Sequence, residues 1–109
     1  QFIKKILENC EKDYFFHRYS VYKDLRTKGY IVKTGLKFGF DFRVYPKGKT
    51  IAEAHTEFVI TVLPENKQIT PDVLARSIRM AKGLHTSLVL AIVDNELEIS
   101  YYTLDRPKL

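Results

Sequence analysis

The sequence predicts a single α/β domain: helix, helix, three strands, helix, two strands. Three observations carry this. Apolar residues recur at helical spacing as far as Leu25 and stop at Gly29. A period-two run from Phe38 to Tyr45 and two apolar runs, Phe58–Leu63 and Leu88–Val93, have the length of strands. Between those two runs, Thr70-Pro71-Asp72 is a strong helix start. At 109 residues the chain is long enough for one core. The expectation is one domain over 1–109, with a helical part over about 2–28 and an α/β core over about 30–105, its sheet holding about five strands.

Phe2, Ile3, Ile6, Leu7 and Cys10 give the first helical stripe, and Phe15, Tyr19, Tyr22 and Leu25 continue it. Gly29 supplies the left-handed stop. Tyr30–Thr34 reads as a short strand before Gly35. In the alternating run, Phe38, Phe40, Phe42 and Val44 point to the core, and Gly39, Asp41, Arg43 and Tyr45 to a polar face. Pro46-Lys47-Gly48 turns the chain into a loop that ends near Ala54. Pro64 ends the next strand. In the helix from Thr70, Leu74, Ile78 and Ala81 face inward, Arg76, Arg79 and Lys82 form a polar stripe, and Gly83 is the stop. Leu88–Val93, apolar throughout, is expected to be a central strand covered on both faces. Asp94-Asn95-Glu96 turns, and Leu97–Leu104 reads as an edge strand that needs cover, for which pairing with another subunit is one solution.

Composition excludes several classes. A lone cysteine, Cys10, rules out an internal disulfide and a Cys-rich zinc site, suits a reducing compartment, and reads as buried packing on its helix. No apolar run approaches the ~20 residues of a membrane span, and no signal peptide is present; the expected location is the cytoplasm. Eighteen Lys and Arg against 13 Asp and Glu leave a net charge of +5, which favours an acidic partner such as nucleic acid. Repeats, a Gly-rich phosphate loop and a Ser-His-Asp arrangement are absent. Asp41 with Glu53 or Glu57 has no specific metal-ligand spacing, so no metal or other cofactor is expected. The chain opens at Gln1, as a piece of a longer protein would.

Two residues carry candidate chemistry. Tyr45 ends one strand-like run, and His55 opens the next ten residues later. RNA is cut without a metal when a base takes the 2′-hydroxyl proton and an acid protonates the leaving 5′-oxygen. Histidine suits the acid role. Tyrosine, with a free pKa of about 10, needs cations nearby to act as base, and Arg43, Lys47 and Lys49 are close in sequence. A lone strand histidine is more often structural, as is a lone strand tyrosine. The stripe Arg76, Arg79, Lys82 is more often a solvated face than a phosphate or base contact. His17 and His85 have no supporting neighbours and read as structural.

The stretch from Tyr22 to Gly39, Asp41-Phe42-Arg43-Val44-Tyr45, the later His55, Val62-Leu63-Pro64-Glu65, Ile78-Arg79-Met80-Ala81 and Leu88–Asp94 resemble the archaeal tRNA-splicing endonuclease (tRNA-intron endonuclease) family. The resemblance covers nearly the whole chain and only the family's C-terminal, catalytic-type domain. It implies a mixed, restriction-endonuclease-like sheet flanked by helices. It also implies cleavage of precursor tRNA at intron bulge–helix–bulge sites, giving 2′,3′-cyclic phosphate and 5′-hydroxyl ends without a metal. The family's catalytic tyrosine matches Tyr45, its histidine matches His55, and one of its base-gripping arginines matches Arg79; Arg106 is a candidate for the second. Arg76, Lys82 and Arg43 are expected to assist RNA binding. Four units assemble, as homotetramer, repeated dimer or heterotetramer. The acidic loop matches Asp94, Glu96 and Glu98, and the pairing strand, with Ile99 and Tyr101, matches Ile99–Leu104.

The chain departs from the family at one place. Counted without a gap from Ala81 and Leu88, the position of the catalytic lysine holds Thr86, which carries no charge. Three explanations stand open: Lys82 or another cation substitutes, the lysine was replaced by mutation, or this unit is a noncatalytic structural subunit that relies on another for cutting. An unrelated basic RNA-binding module is a third functional class, and it would bind RNA without dependence on His55.

Overall fold

The computed structural model describes residues 12–45 and 58–107. The expected helix over Phe2–Cys10, the turn at Pro46 and the positions Glu53, His55 and Glu57 lie outside the described residues.

Helix α1 spans Lys12–Thr27 and is followed by β1 (Ile31–Thr34), a 3₁₀ turn (Leu36–Phe38), β2 (Phe42–Tyr45), β3 (Phe58–Pro64), α2 (Pro71–Gly83), β4 (Ser87–Val93) and β5 (Ile99–Leu104). The strands form one sheet in the order β1-β2-β3-β4-β5. Every neighbouring pair is antiparallel except β3 and β4, which run parallel and are joined through α2. The sheet is therefore mixed and the fold α/β. β3, rather than β4, is the central strand; β4 lies one in from the β5 edge.

Period-two alternation sends side chains to opposite faces, and each face has its own core. On one face Val32, Phe42, Val44, Ile60, Val62, Val89, Ala91 and Val93 pack with Val21 and Leu25 of α1. On the other, Val59 and Leu88 pack with Phe40 and with Ala81 of α2, flanked by Ile78, Leu84 and Leu104. Val21 is fully buried, whereas Tyr19, expected on the inward stripe, is 39% exposed. The inward stripe of α1 is rotated to include Val21 and a charged residue, Arg18.

Arg18 is accommodated by Asp41. Its Nε donates to Asp41 Oδ1 at 2.6 Å, and both side chains are largely buried, with 13% and 9% exposure. The other carboxylate oxygen accepts from the Val62 amide at 2.7 Å. The β2–β3 ladder extends only to Phe42↔Ile60, so the carboxylate supplies an acceptor to a β3 amide beyond the ladder's end. This corrects the expectation that Asp41 shares a face with Arg43 and Tyr45. The alternating run does not begin at Phe38: residues 36–38 form the 3₁₀ turn, Gly39 sits at φ 84°, and the strand starts at Phe42. Gly35 allows this compact turn, because a Cβ there would meet the Phe40 carbonyl oxygen at 3.0 Å.

Helix α2 starts at Thr70-Pro71-Asp72 as predicted, with Pro71 in the first turn, but the Thr70 side chain makes no capping bond to an amide. It hydrogen-bonds the Asp72 carboxylate instead and holds its pKa below the usual range. At the other end, Gly83 is the last helical residue and not the stop. His85 takes the left-handed conformation, φ 56°. Its amide donates to the Lys82 carbonyl at 2.9 Å, and the Thr86 amide donates to the Ala81 carbonyl at 3.0 Å. This is the Schellman arrangement with histidine where glycine is usual. An added Cβ at Gly83 meets nothing within 4 Å. Gly83→Ala is therefore expected to raise stability by about 0.5–1 kcal/mol, read as a higher urea midpoint with an unchanged slope.

Candidate active site

Strand register brings Tyr45 and Thr86 to one end of the sheet. Val44 of β2 pairs with Phe58 of β3, and Phe58 pairs with Ser87 of β4. One step further along, Tyr45 ends β2 and Thr86 precedes β4, separated by the width of β3, roughly 10 Å between backbones. His55 lies three residues before β3 begins, outside the described residues. Alternation puts Tyr45 on the face opposite Phe42 and Val44, the face that α2 covers.

That face is not a solvated one at Tyr45. The residue is 5% exposed, against the expectation of a polar face. The reason is that β2 is an inner strand, and the face it shares with Val59 and Leu88 is itself a core layer. Arg43, also on this face, donates from Nε to the Thr34 carbonyl at 3.3 Å.

An open cavity of about 380 Å³ lies at the same end of the sheet, lined by Lys82, His85, Thr86, Ser87 and Asp105. Lys82 Nζ is 3.0 Å from Asp105 Oδ1, both about half exposed. The hydrogen bond from Lys82 holds the Asp105 carboxyl below its usual range, helped by the Arg106 amide. Thr86 Oγ1 is buried and meets no hydrogen-bond partner among the described residues. His85, read as structural from the sequence, lines this cavity, as does Asp105, which the sequence did not single out. The signal for Asp105 is the β4–β5 register: Leu104 pairs with Leu88, so the residue after β5 falls beside the start of β4. For His85 it is the position directly before Thr86.

Arg76 and Arg79 sit on the exposed side of α2. Arg76 is 3.5 Å from Asp72 in an exposed (i, i+4) pair, and Arg79 forms no ion pair among the described residues. Arg106 is exposed just beyond β5.

The candidate interface residues divide. Asp94 Oδ1 accepts from the amides of Glu96 and Glu98 at 2.8 and 2.9 Å and shapes the turn, in which Leu97 has φ 63°. Glu96 and Glu98 are exposed. Ile99 and Tyr101 point inward and pack against the core under α1. Tyr101 Oη donates to Asp24 Oδ2 at 2.6 Å, and Lys28 Nζ lies 4.9 Å from its ring centre. Burial, and then the Asp24 carboxylate, push the Tyr101 phenol far above its ordinary value. The outward side of β5 carries Ser100 and Tyr102, the latter 55% exposed. Among the described residues no group of three metal-ligating side chains occurs, and no helix is long and apolar enough to cross a membrane.

Residues 15–101 match the model of the tRNA intron endonuclease catalytic C-terminal domain. The chain belongs to this family. It is 40% identical over 99 residues to a tRNA-splicing endonuclease of Thermococcus kodakarensis, covering 91% of this chain and 57% of that protein. It is 46% identical over 103 residues to one from Pyrococcus horikoshii, covering 94% and 58%. A longer tRNA-splicing endonuclease, from Methanosarcina barkeri, is 34% identical over 110 residues, with 100% of this chain and 31% of that protein covered. The chain thus spans a little over half the length of the Thermococcus and Pyrococcus tRNA-splicing endonucleases. The five-stranded mixed sheet flanked by helices is the fold expected from the resemblance.

Proposed function

We propose that this chain is the cutting domain of a tRNA-splicing endonuclease that removes introns from precursor tRNA at bulge–helix–bulge sites, without a metal, leaving 2′,3′-cyclic phosphate and 5′-hydroxyl ends. The observation that carries this reading is the register that aligns the end of β2, the start of β3 and the start of β4, and with them Tyr45 and Thr86. Tyr45 removes the 2′-hydroxyl proton. His55 protonates the leaving 5′-oxygen. Arg79 grips the bulged base, and Arg76 and Arg43 add positive charge along the RNA path. The unit works in a set of four, in which Glu96 and Glu98 of the exposed turn meet a basic partner surface and the unpaired edge of β5 meets another subunit. The protein acts in the cytoplasm.

His55→Ala is expected to lower cleavage of a bulge–helix–bulge precursor by about 10²–10⁴-fold, with RNA binding kept. A rate that does not change would remove His55 from the chemistry.

Thr86 favours a second reading, a structural unit that positions RNA for a partner's site. Installing lysine separates the two. Thr86→Lys in a protein with working Tyr45 and His55 cuts; in a purely structural unit it stays inactive.

A further inference from the structure

We propose that Lys82 supplies the positive charge at the scissile phosphate. The inference rests on the endonuclease reading above and says which group of this chain completes its site.

Attack by the 2′-oxygen puts additional negative charge on the phosphate oxygens, and a positioned cation or donor is the effective way to stabilise it. Among the described residues, few such groups lie at the end of the sheet where Tyr45 and Thr86 lie. Helix α2 ends there, so its negative dipole end faces the region. The His85 and Thr86 amides cannot serve as anion donors, because both are engaged with the Lys82 and Ala81 carbonyls. The Thr86 hydroxyl is neutral and its oxygen is buried. Arg43 is turned to the Thr34 carbonyl. Among the described residues Lys82 is the lysine that lines the same open cavity as Thr86, and it stands on α2, the helix on the face where Tyr45 lies.

Its ion pair does not hold it away from RNA. Lys82 and Asp105 are 48% and 57% exposed, and a pair so open to solvent is weak. A phosphate carrying extra charge competes with Asp105 for the ammonium. Lysine suits this task, since its flexible stem carries a compact charge over a range of positions.

The test compares the full-length protein with its Lys82→Met, Lys82→Met/Thr86→Lys and Asp105→Asn variants, in single-turnover cleavage of a bulge–helix–bulge precursor tRNA in chelator. Lys82→Met is expected to cut about 10²–10³-fold more slowly. Adding Thr86→Lys to it restores most of the rate, because a charge has returned to the same cavity. Asp105→Asn cuts at least as fast as the unsubstituted protein, since Lys82 is released. A Lys82→Met rate equal to that of the unsubstituted protein overturns the assignment and leaves the endonuclease reading standing. A slow Lys82→Met that Thr86→Lys does not rescue, with Asp105→Asn equally slow, also overturns it, and makes the ion pair a support of the fold. If the unsubstituted protein does not cut at all, both the assignment and the reading beneath it fail.

Discussion

Tyr45→Phe is expected to slow precursor cleavage by about 10²–10⁴-fold and to leave the fold intact. The substitution removes one oxygen and keeps the ring. At 5% exposure the ring of Tyr45 is part of the inner layer around β2, so Tyr45→Ala would confound a packing loss of several kcal/mol with the loss of chemistry. Phenylalanine avoids that. The expected pattern is an unfolding free energy unchanged to within about 1 kcal/mol, unchanged RNA affinity and a lost rate. A variant that cuts normally would show that the hydroxyl at the end of β2 takes no part, and general base catalysis would have to come from elsewhere. A variant that loses stability and rate together would assign Tyr45 a structural hydrogen bond.

Asp41→Asn is expected to cost about 3–5 kcal/mol, because it strands the buried Arg18 guanidinium without a counter-charge. Arg18 already has a buried Nη1 without a hydrogen-bond partner among the described residues, so the carboxylate is its principal compensation. Asp41 also does more than pair. Through Val62 it ties the entry to β2 to the middle of β3, and its own amide donates to the Ile60 carbonyl at 2.9 Å. Asparagine can still accept from the Val62 amide, which isolates the charge as the cause. Arg18→Met, by contrast, leaves the carboxylate with its β3 partner and is expected to cost less. Chemical denaturation of the two single variants and the double variant measures the coupling. A loss below about 1 kcal/mol for Asp41→Asn would place the pair among weak surface interactions.

Much of the architecture was legible because local signals and global packing agree. Leu88–Val93 is apolar because β4 has neighbours on both sides and core residues on both faces. Thr70-Pro71-Asp72 starts a helix because proline fits where the amide has no helical acceptor. The departures have two physical causes: a deciding partner distant in sequence, or a local turn that the letters do not show. Arg18, which is not on the apolar stripe, turns inward because Asp41, 23 positions later, supplies the counter-charge. Asp41 looks like part of an alternating strand because the 3₁₀ turn before it leaves the period-two pattern intact in the letters. Gly83 looks like a stop, but the chain extends the helix and places His85 in the left-handed position, a choice set by the Ala81 and Lys82 carbonyls that the loop must satisfy. Ile99 and Tyr101, expected at an interface, have side chains that pack against the core beneath α1, where Tyr101 meets Asp24. Within the candidate site, residue types were readable and proximity was not. That Tyr45 and Thr86 fall at one end of the sheet depends on the order β2-β3-β4 and its register. That Lys82 and Asp105 meet beside Thr86 depends on where α2 and β5 end.

The most direct measurement is the identity of the RNA ends after single-turnover cleavage of a bulge–helix–bulge precursor tRNA by the full-length protein in chelator. The account predicts 2′,3′-cyclic phosphate on the upstream fragments and 5′-hydroxyl on the downstream ones, at both intron boundaries. Products with 3′-hydroxyl and 5′-phosphate ends, or cleavage that stops on chelation, would contradict it, because neither follows from a tyrosine base, a histidine acid and a lysine at the phosphate.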